Sequence, residues 1–241
     1  MAYGLTQSMH VETASSEYAT VTSHTFGIAQ LATISIEGWF KFDSLPATGT
    51  IYGICTVGWT NQGVHLWYEN VGGVYYLRFY QHTWGTETRL ASYTITLNTG
   101  QWYHIACTKN GNSGASNGIL YLDGVQVATA TMNLTGGAGK AVNSLIGGTY
   151  NNGSFMYYST GNMSLFRVWS TVRTQAQIAD NKCTVFGAAE SGMRAEYSLD
   201  NVYTDASGNA YTLTAVNTPT FEAETPSTCS SAINSGFLAF M

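Results

Sequence analysis

The stretch "TISIEGWFKF" alternates strictly: Ile34, Ile36, Gly38, Phe40 and Phe42 fall on one side of an extended chain, and Ser35, Glu37, Trp39 and Lys41 on the other. A period of two with one apolar side marks a strand laid on a core. The runs that follow, "IYGICTVGW", "GVHLWYEN", "GVYYLRFYQ" and "ASYTITL", are short, rich in Val, Ile, Tyr and Thr, and separated by Gly and Asn turns. Strands recurring about every ten residues predict an antiparallel sandwich. In "ILYLDGVQVAT" the Asp123-Gly124 pair predicts a two-residue hairpin loop with positive φ at both positions. It would set Leu122 opposite Val125 and Leu120 opposite Val127 on one face, with Tyr121 facing Gln126 on the other. A single short helix is expected over "TQAQIADN", where Thr174 and Gln177 stand at capping-box spacing and Asn181 can close the last turn.

The same alternation decides the meaning of "GQWYHIACTKN", residues 100 to 110, in which a histidine precedes a cysteine by three positions. On a strand, His104 lies with Trp102, Ala106 and Thr108, whereas Cys107 lies with Tyr103, Ile105 and Lys109. They point to opposite faces and cannot share a metal or act as base and nucleophile. A core thiol and a hydrogen-bonded histidine are expected instead.

Composition narrows the class. The 241 residues are 44% hydrophobic but only 10% charged, against a usual charged fraction of about 25%. The surface must therefore be made of neutral polar groups, a habit of secreted or displayed proteins. With nine Lys and Arg and a net charge of -5, the chain lacks the basic stripe that phosphate backbones require, which excludes nucleic acid as a partner. No run approaches the roughly 18 apolar residues of a membrane span, and the first residues lack the pattern of a signal peptide. Either a leader has been removed or the protein leaves the cell by another route, such as lysis with a virus particle. Cys55, Cys107, Cys183 and Cys229 are widely spaced with no C-x-x-C, which argues against a zinc knuckle. Cys55 and Cys107 read as buried free thiols. Cys183 with Cys229 is the pair to test as a disulfide.

Beyond these patterns, "QWYHIACTKNGNSGASNGILYLDGVQVAT" resembles the signature hairpin of the LamG-like jelly-roll family, also called the concanavalin A-like or laminin G and pentraxin class. "VETASSEYATV" resembles its opening strand, "ATISIEGWFKF" its early core strand, "SLFRVWSTVRTQAQIAD" its late strand and short helix, and "YSLDNVYTDASGNAYTLT" its closing hairpin. The resemblance runs from about residue 9 to about residue 221. It implies an all-β fold, a two-sheet antiparallel jelly roll with one short helix, over residues 1–226, followed by a C-terminal tail, 227–241, docked on the domain or on a neighbouring subunit. Phe237, Leu238, Phe240 and Met241 would carry that docking, because an apolar end left in water invites aggregation. The resemblance implies calcium as a cofactor, common in the family, with Asp200, Asn201, Asp205 and Asn209 of "LDNVYTDASGN" as candidate ligands and Asp43 a weaker candidate elsewhere. The same residues also suit an ordinary Asx turn.

Catalytic patterns are weak. Gly114-Ala-Ser116-Asn-Gly118 matches G-x-S-x-G, yet a nucleophile elbow leads from strand to helix, whereas this loop leads into a strand. Glycosidase chemistry needs two carboxylates about 5 to 10 Å apart; no E-x-D-x-E occurs, and Glu222 with Glu224, or Glu37 alone, do not supply the pair. The chain is expected not to be an enzyme. Its sixteen Tyr and six Trp are the stronger signal. Trp39, His65, Trp67, Tyr76, Arg78 and Tyr80 fall on the polar side of strands, with Trp84 in the loop beyond. Flat rings beside hydrogen-bonding groups suit a sugar and also suit a protein interface, while burial of both sheet faces would explain them too. "NLT" at Asn133, "NGS" at Asn152 and "NMS" at Asn162 are glycosylation sequons that point to surface loops. The resulting expectation is a non-catalytic display protein of the extracellular space or virion surface. It is either a structural component such as a virion decoration protein, partnered by neighbouring subunits or its own copies, or a secreted lectin-like or adhesion module partnered by glycans.

Overall fold

Seventeen strands, one helix and the first residues of a second helix, 227–229, carry the described residues of the computed structural model, which are 4–21, 25–28, 32–59, 62–83, 88–133, 143–151, 154–187 and 190–229. In chain order they are β1 (Ser8–Val11), β2 (Tyr18–Val21), β3 (Thr33–Phe42), β4 (Ile51–Trp59), β5 (Gln62–Val71), β6 (Val74–Thr83), β7 (Thr88–Thr94), β8 (Trp102–Asn110), β9 (Gly118–Leu122), β10 (Val125–Ala130), β11 (Ser144–Ile146), β12 (Thr149–Asn151), β13 (Ser154–Met156), β14 (Gly161–Trp169), α1 (Gln175–Asn181), β15 (Met193–Tyr197), β16 (Thr214–Val216) and β17 (Thr220–Glu222). One sheet has eight strands in the order β10-β9-β8-β3-β14-β1-β17, with β15 also on β14; the other has seven, in the order β16-β2-β11-β4-β5-β6-β7. A two-stranded ribbon, β12-β13, forms a third ladder hydrogen-bonded to neither. Among the described residues no helix is long and apolar enough to cross a membrane.

The core lies between the two sheets and takes the apolar side of each strand. Ile34, Ile36, Phe40 and Phe42 of β3 meet Ile54 and Val57 of β4, Val64, Leu66 and Tyr68 of β5, and Leu77 and Phe79 of β6. Each such side chain removed from water stabilises the fold by about 1.5–3 kcal/mol. Cys55 and Cys107 are free and buried in this core, as the apolar runs around them predict.

The other side of the eight-stranded sheet is buried as well. Helix α1 starts with the predicted box, the Thr174 side chain accepting from Gln177 N and the Gln177 side chain accepting from Thr174 N, and lays Ile178 on Ala106 and Tyr121. Residues 181–187 then cross the sheet as an irregular strap. Its backbone polar groups are met from the strands: Arg167 donates to the carbonyls of Asn181 (3.1 Å) and Thr184 (3.2 Å), Trp39 Nε1 donates to that of Lys182 (2.7 Å), and Glu196 accepts from Phe186 N and Gly187 N (3.0 and 2.7 Å). The disulfide Cys183–Cys229 closes the strap, and Cys229 packs with Trp39 and Leu165.

Several expectations are corrected. Leu120 pairs with Ala128, not Val127, because a bulge falls between Gln126 and Ala128, although Asp123 (φ 52°) and Gly124 (φ 86°) both take the left-handed conformation expected. Helix α1 ends on Lys182 in ordinary αR geometry, and Asn181 belongs to the helix, its side chain donating to the Gln177 carbonyl. The segment read as a closing hairpin is not one: β15 pairs with β14, whereas β16 pairs with β2 in the other sheet. Asn162 is no surface loop residue; it lies wholly buried in β14 and donates to Glu222 Oε2 (2.9 Å) and Ser8 Oγ (3.2 Å). Asn133 is exposed, and Asn152 lies outside the described residues.

Candidate functional site

Strands β4 to β7 form an antiparallel meander whose inner side is core, so alternation turns the polar positions outward. Register stacks these positions in rows across the strands. One row runs Thr56, His65, Tyr80, Leu90; the next Gly53, Trp67, Arg78, Ser92; the third joins Glu69, Tyr76 and Thr94. Five of the expected residues, His65, Trp67, Tyr76, Arg78 and Tyr80, are thereby brought onto one surface.

Within it, the rings of Trp67 and Tyr80 lie 4.4 Å apart at 33°. His65 flanks both, at 6.2 and 5.8 Å, and is itself buried, its Nδ1 2.8 Å from Thr56 Oγ1. Gly63 permits that packing, because a Cβ there would fall 2.5 Å from His65 Nε2. Beside Trp67, Arg78 forms an ion pair with Glu69 and lies 4.7 Å over the Tyr76 ring. Burial pushes the Glu69 carboxyl above its ordinary range, and the Arg78 charge partly opposes that shift. Trp67, Tyr76, Arg78 and Tyr80 are half-buried; Ser92 and Thr94 are exposed. Two donors of the group, Trp67 Nε1 and Arg78 Nε, are buried without a hydrogen-bond partner, whereas Glu69 Oε1 is the atom that meets the Arg78 guanidinium in the ion pair.

The ribbon β12-β13 borders this surface. Gly53 stands opposite Trp67 in register, and a Cβ on it would lie 2.4 Å from the Tyr157 carbonyl oxygen and 2.6 Å from Thr149 N. The absence of a side chain lets the ribbon cross β4 beside the indole. Glu69 and Thr56 were missed by sequence reasoning, although Glu69 shares its parity with His65 and Trp67 and was within reach of the same alternation.

One expected residue, Trp39, does not join the surface. Trp39 belongs to the opposite sheet, where the strap and the Cys229 segment bury it to 2% exposure. Trp84 lies outside the described residues, as do Phe237, Leu238, Phe240 and Met241. Three of the four oxygen-bearing residues of the late loop have other duties. Asp200 Oδ1 accepts from Thr6 N, Thr6 Oγ1 and Gln7 N; Asp205 accepts from Glu196 N, Ser207 N and Tyr211 N; Asn209 donates to the Met193 and Arg194 carbonyls; Asn201 is exposed at φ 58°. Among the described residues no group of three or more His, Cys, Asp or Glu is placed to hold a metal ion. Asp43 is taken by His10 Nε2 at 2.8 Å. Ser116 sits exposed in the loop before β9, with no helix after it.

Comparison with known proteins sets this geometry in context. The family model of the concanavalin A-like lectin/glucanases superfamily matches residues 13–179. No curated protein matches the sequence. Among solved structures, a candidate carbohydrate-binding protein from Bacteroides ovatus superposes with TM-score 0.64 at 22% identity over 90% of this chain, which spans 60% of that protein's length. The heptameric SAP-like pentraxin of Limulus polyphemus gives 0.53 at 14% identity, covering 94% of this chain and 93% of that one. CBM40 of the Ruminococcus gnavus IT-sialidase, solved with α2,3-sialyllactose, gives 0.54 at 16% identity, covering 74% and 100%. At these identities the likeness is one of fold.

Proposed function

Because the chain belongs to the concanavalin A-like lectin/glucanases superfamily, we propose that it is a non-catalytic carbohydrate-binding protein that takes a saccharide on the outer face of β4 to β7. The observation that carries this reading is the half-buried Trp67–Tyr80 platform, 4.4 Å between rings, set beside the Arg78–Glu69 pair. The apolar face of a sugar ring packs on aromatic carbon while its hydroxyls need charged or polar partners at the rim. Glycosidase work needs two free carboxylates; the described residues of this face offer Glu69, already engaged by Arg78. The carbohydrate-related neighbours fit the same reading. A disulfide between Cys183 and Cys229 supports an oxidising, extracellular setting. The alternative of a virion decoration protein rests on the low charge and on the apolar tail outside the described residues.

The test is a glycan array of the intact protein, with calcium and with chelator, followed by Trp67→Ala. Binding to a defined sugar is expected, weakened at least about tenfold in the variant, the size of one good aromatic contact, with Tm lowered by only a few degrees. Chelator should leave binding unchanged, because Asp200 Oδ1 and both carboxylate oxygens of Asp205 accept from backbone N–H groups. Silence across the array would overturn the reading.

A further inference from the structure

The chemistry of the Arg78–Glu69 pair goes beyond the bare proposal of a glycan face and rests on it. Among the described residues Arg78 is the one Lys or Arg on the outer side of β4 to β7. A lone guanidinium beside an aromatic platform would select acidic sugars, since carboxylates bind it bidentately. Here that charge is already matched. Glu69 lies on the neighbouring strand, largely buried, and is paired with Arg78, whose other side is covered by Tyr76. Any acidic sugar reaching Arg78 would bring its carboxylate next to that of Glu69, a like-charge approach in a partly desolvated place.

A hydroxyl group meets no such penalty, because it can accept from the guanidinium and donate to the carboxylate at once. The free protein leaves Trp67 Nε1 and Arg78 Nε unpaired and covered, while Glu69 Oε1 faces the Arg78 guanidinium. Two donors therefore stand next to the platform beside a paired carboxylate, and a small turn of these side chains would offer them to hydroxyls. The chain's net charge of -5 adds a further bias against anions.

We infer that Glu69 is the specificity-determining residue of this face: by occupying Arg78 it closes the site to acidic sugars and commits it to uncharged saccharides, whose hydroxyls the pair receives.

The experiment compares matched neutral and acidic glycans, for example hexoses with their uronic acids and asialo with sialylated oligosaccharides, on the intact protein and on Glu69→Gln. Wild type should bind the neutral member at least tenfold more tightly, with little change between low and moderate salt, because an uncharged ligand is not screened. Glu69→Gln, nearly the same shape, should weaken neutral binding severalfold and strengthen acidic binding, now lost again as salt rises. Preference of the wild type for the acidic member would overturn this inference while leaving the glycan-binding reading intact. Binding of neither would overturn both. If Glu69→Gln lowers Tm sharply, the wild-type neutral-against-acidic ratio and its salt dependence still decide the question.

Discussion

Neither ring nitrogen of His104 finds a hydrogen-bond partner, so the expectation of a satisfied histidine in the sheet does not hold. Its nearest acid, Glu37, lies 3.8 Å away, but Glu37 Oε1 is shared by Trp169 Nε1 (2.8 Å), Arg167 Nε (3.5 Å) and Arg173 Nε (3.8 Å). Complete burial, with Arg167 and Lys182 adding positive charge, holds the His104 pKa well below 6.5. The folded protein then keeps this ring neutral, whereas the unfolded chain takes up a proton as pH falls through 6.5. Stability is complete above that pH and declines below it by about 1.4 kcal/mol per pH unit until the folded-state pKa is reached. Urea titrations between pH 7 and pH 5 should show this slope, and His104→Gln should flatten it; an identical slope in the variant would locate the effect elsewhere. Gly53 makes a second residue-scale prediction. Gly53→Ala must displace the β12-β13 ribbon from a contact of 2.4 Å, at about 1–3 kcal/mol for overpacking, and should weaken glycan binding with it.

At the scale of elements, the strap of residues 181–187 has no regular hydrogen-bond ladder and is held by side chains instead. Arg167, Trp39 and Glu196, each buried, reach its backbone, and Cys183–Cys229 closes a separation of 46 residues. Replacing both cysteines by serine should cost about 4 kcal/mol through the loop entropy returned to the unfolded chain, and Trp39 fluorescence should shift to the red as the strap loosens. Glycan binding should survive in the folded fraction, because Trp67 and Tyr80 lie on the other sheet. Arg167→Met should destabilise more selectively, by about 3–5 kcal/mol, since it leaves Glu37 buried with one cation fewer.

For the whole molecule, the sheet orders place strands distant in sequence side by side. β1 pairs with β17, and β2 with β16. Neither sheet can be completed until the late strands are present, which makes the topology one of non-local contacts and predicts refolding in milliseconds to seconds. A chain cut before Thr214 would leave β1 and β2 as open edges; it should unfold at a markedly lower temperature and aggregate, as circular dichroism and light scattering would show. An unchanged Tm would mean that β16 and β17 only decorate the sandwich.

Much of this was legible one residue at a time. Alternation in "TISIEGWFKF" placed Ile34, Ile36, Phe40 and Phe42 in the core, and the same rule put Trp67 and Tyr80 on one outer surface, because a strand allows a side chain only two directions. The Asp123-Gly124 turn and the Thr174–Gln177 box were local and therefore readable too. Parity tells which side a residue faces but not what lies on that side. Trp39 and Trp67 have like surroundings in sequence, yet the strap buries the first and the second remains half-open, a difference made by residues more than a hundred positions away. Bulges, such as that between Gln126 and Ala128, shift parity without any mark in composition. The charge pairing of Arg78 with Glu69 likewise depends on the register of two strands across a turn. Sequence alone determined the long alternating strands and the side each turns inward; tertiary packing decided which faces are covered, because burial is a property of neighbours and not of the residue itself.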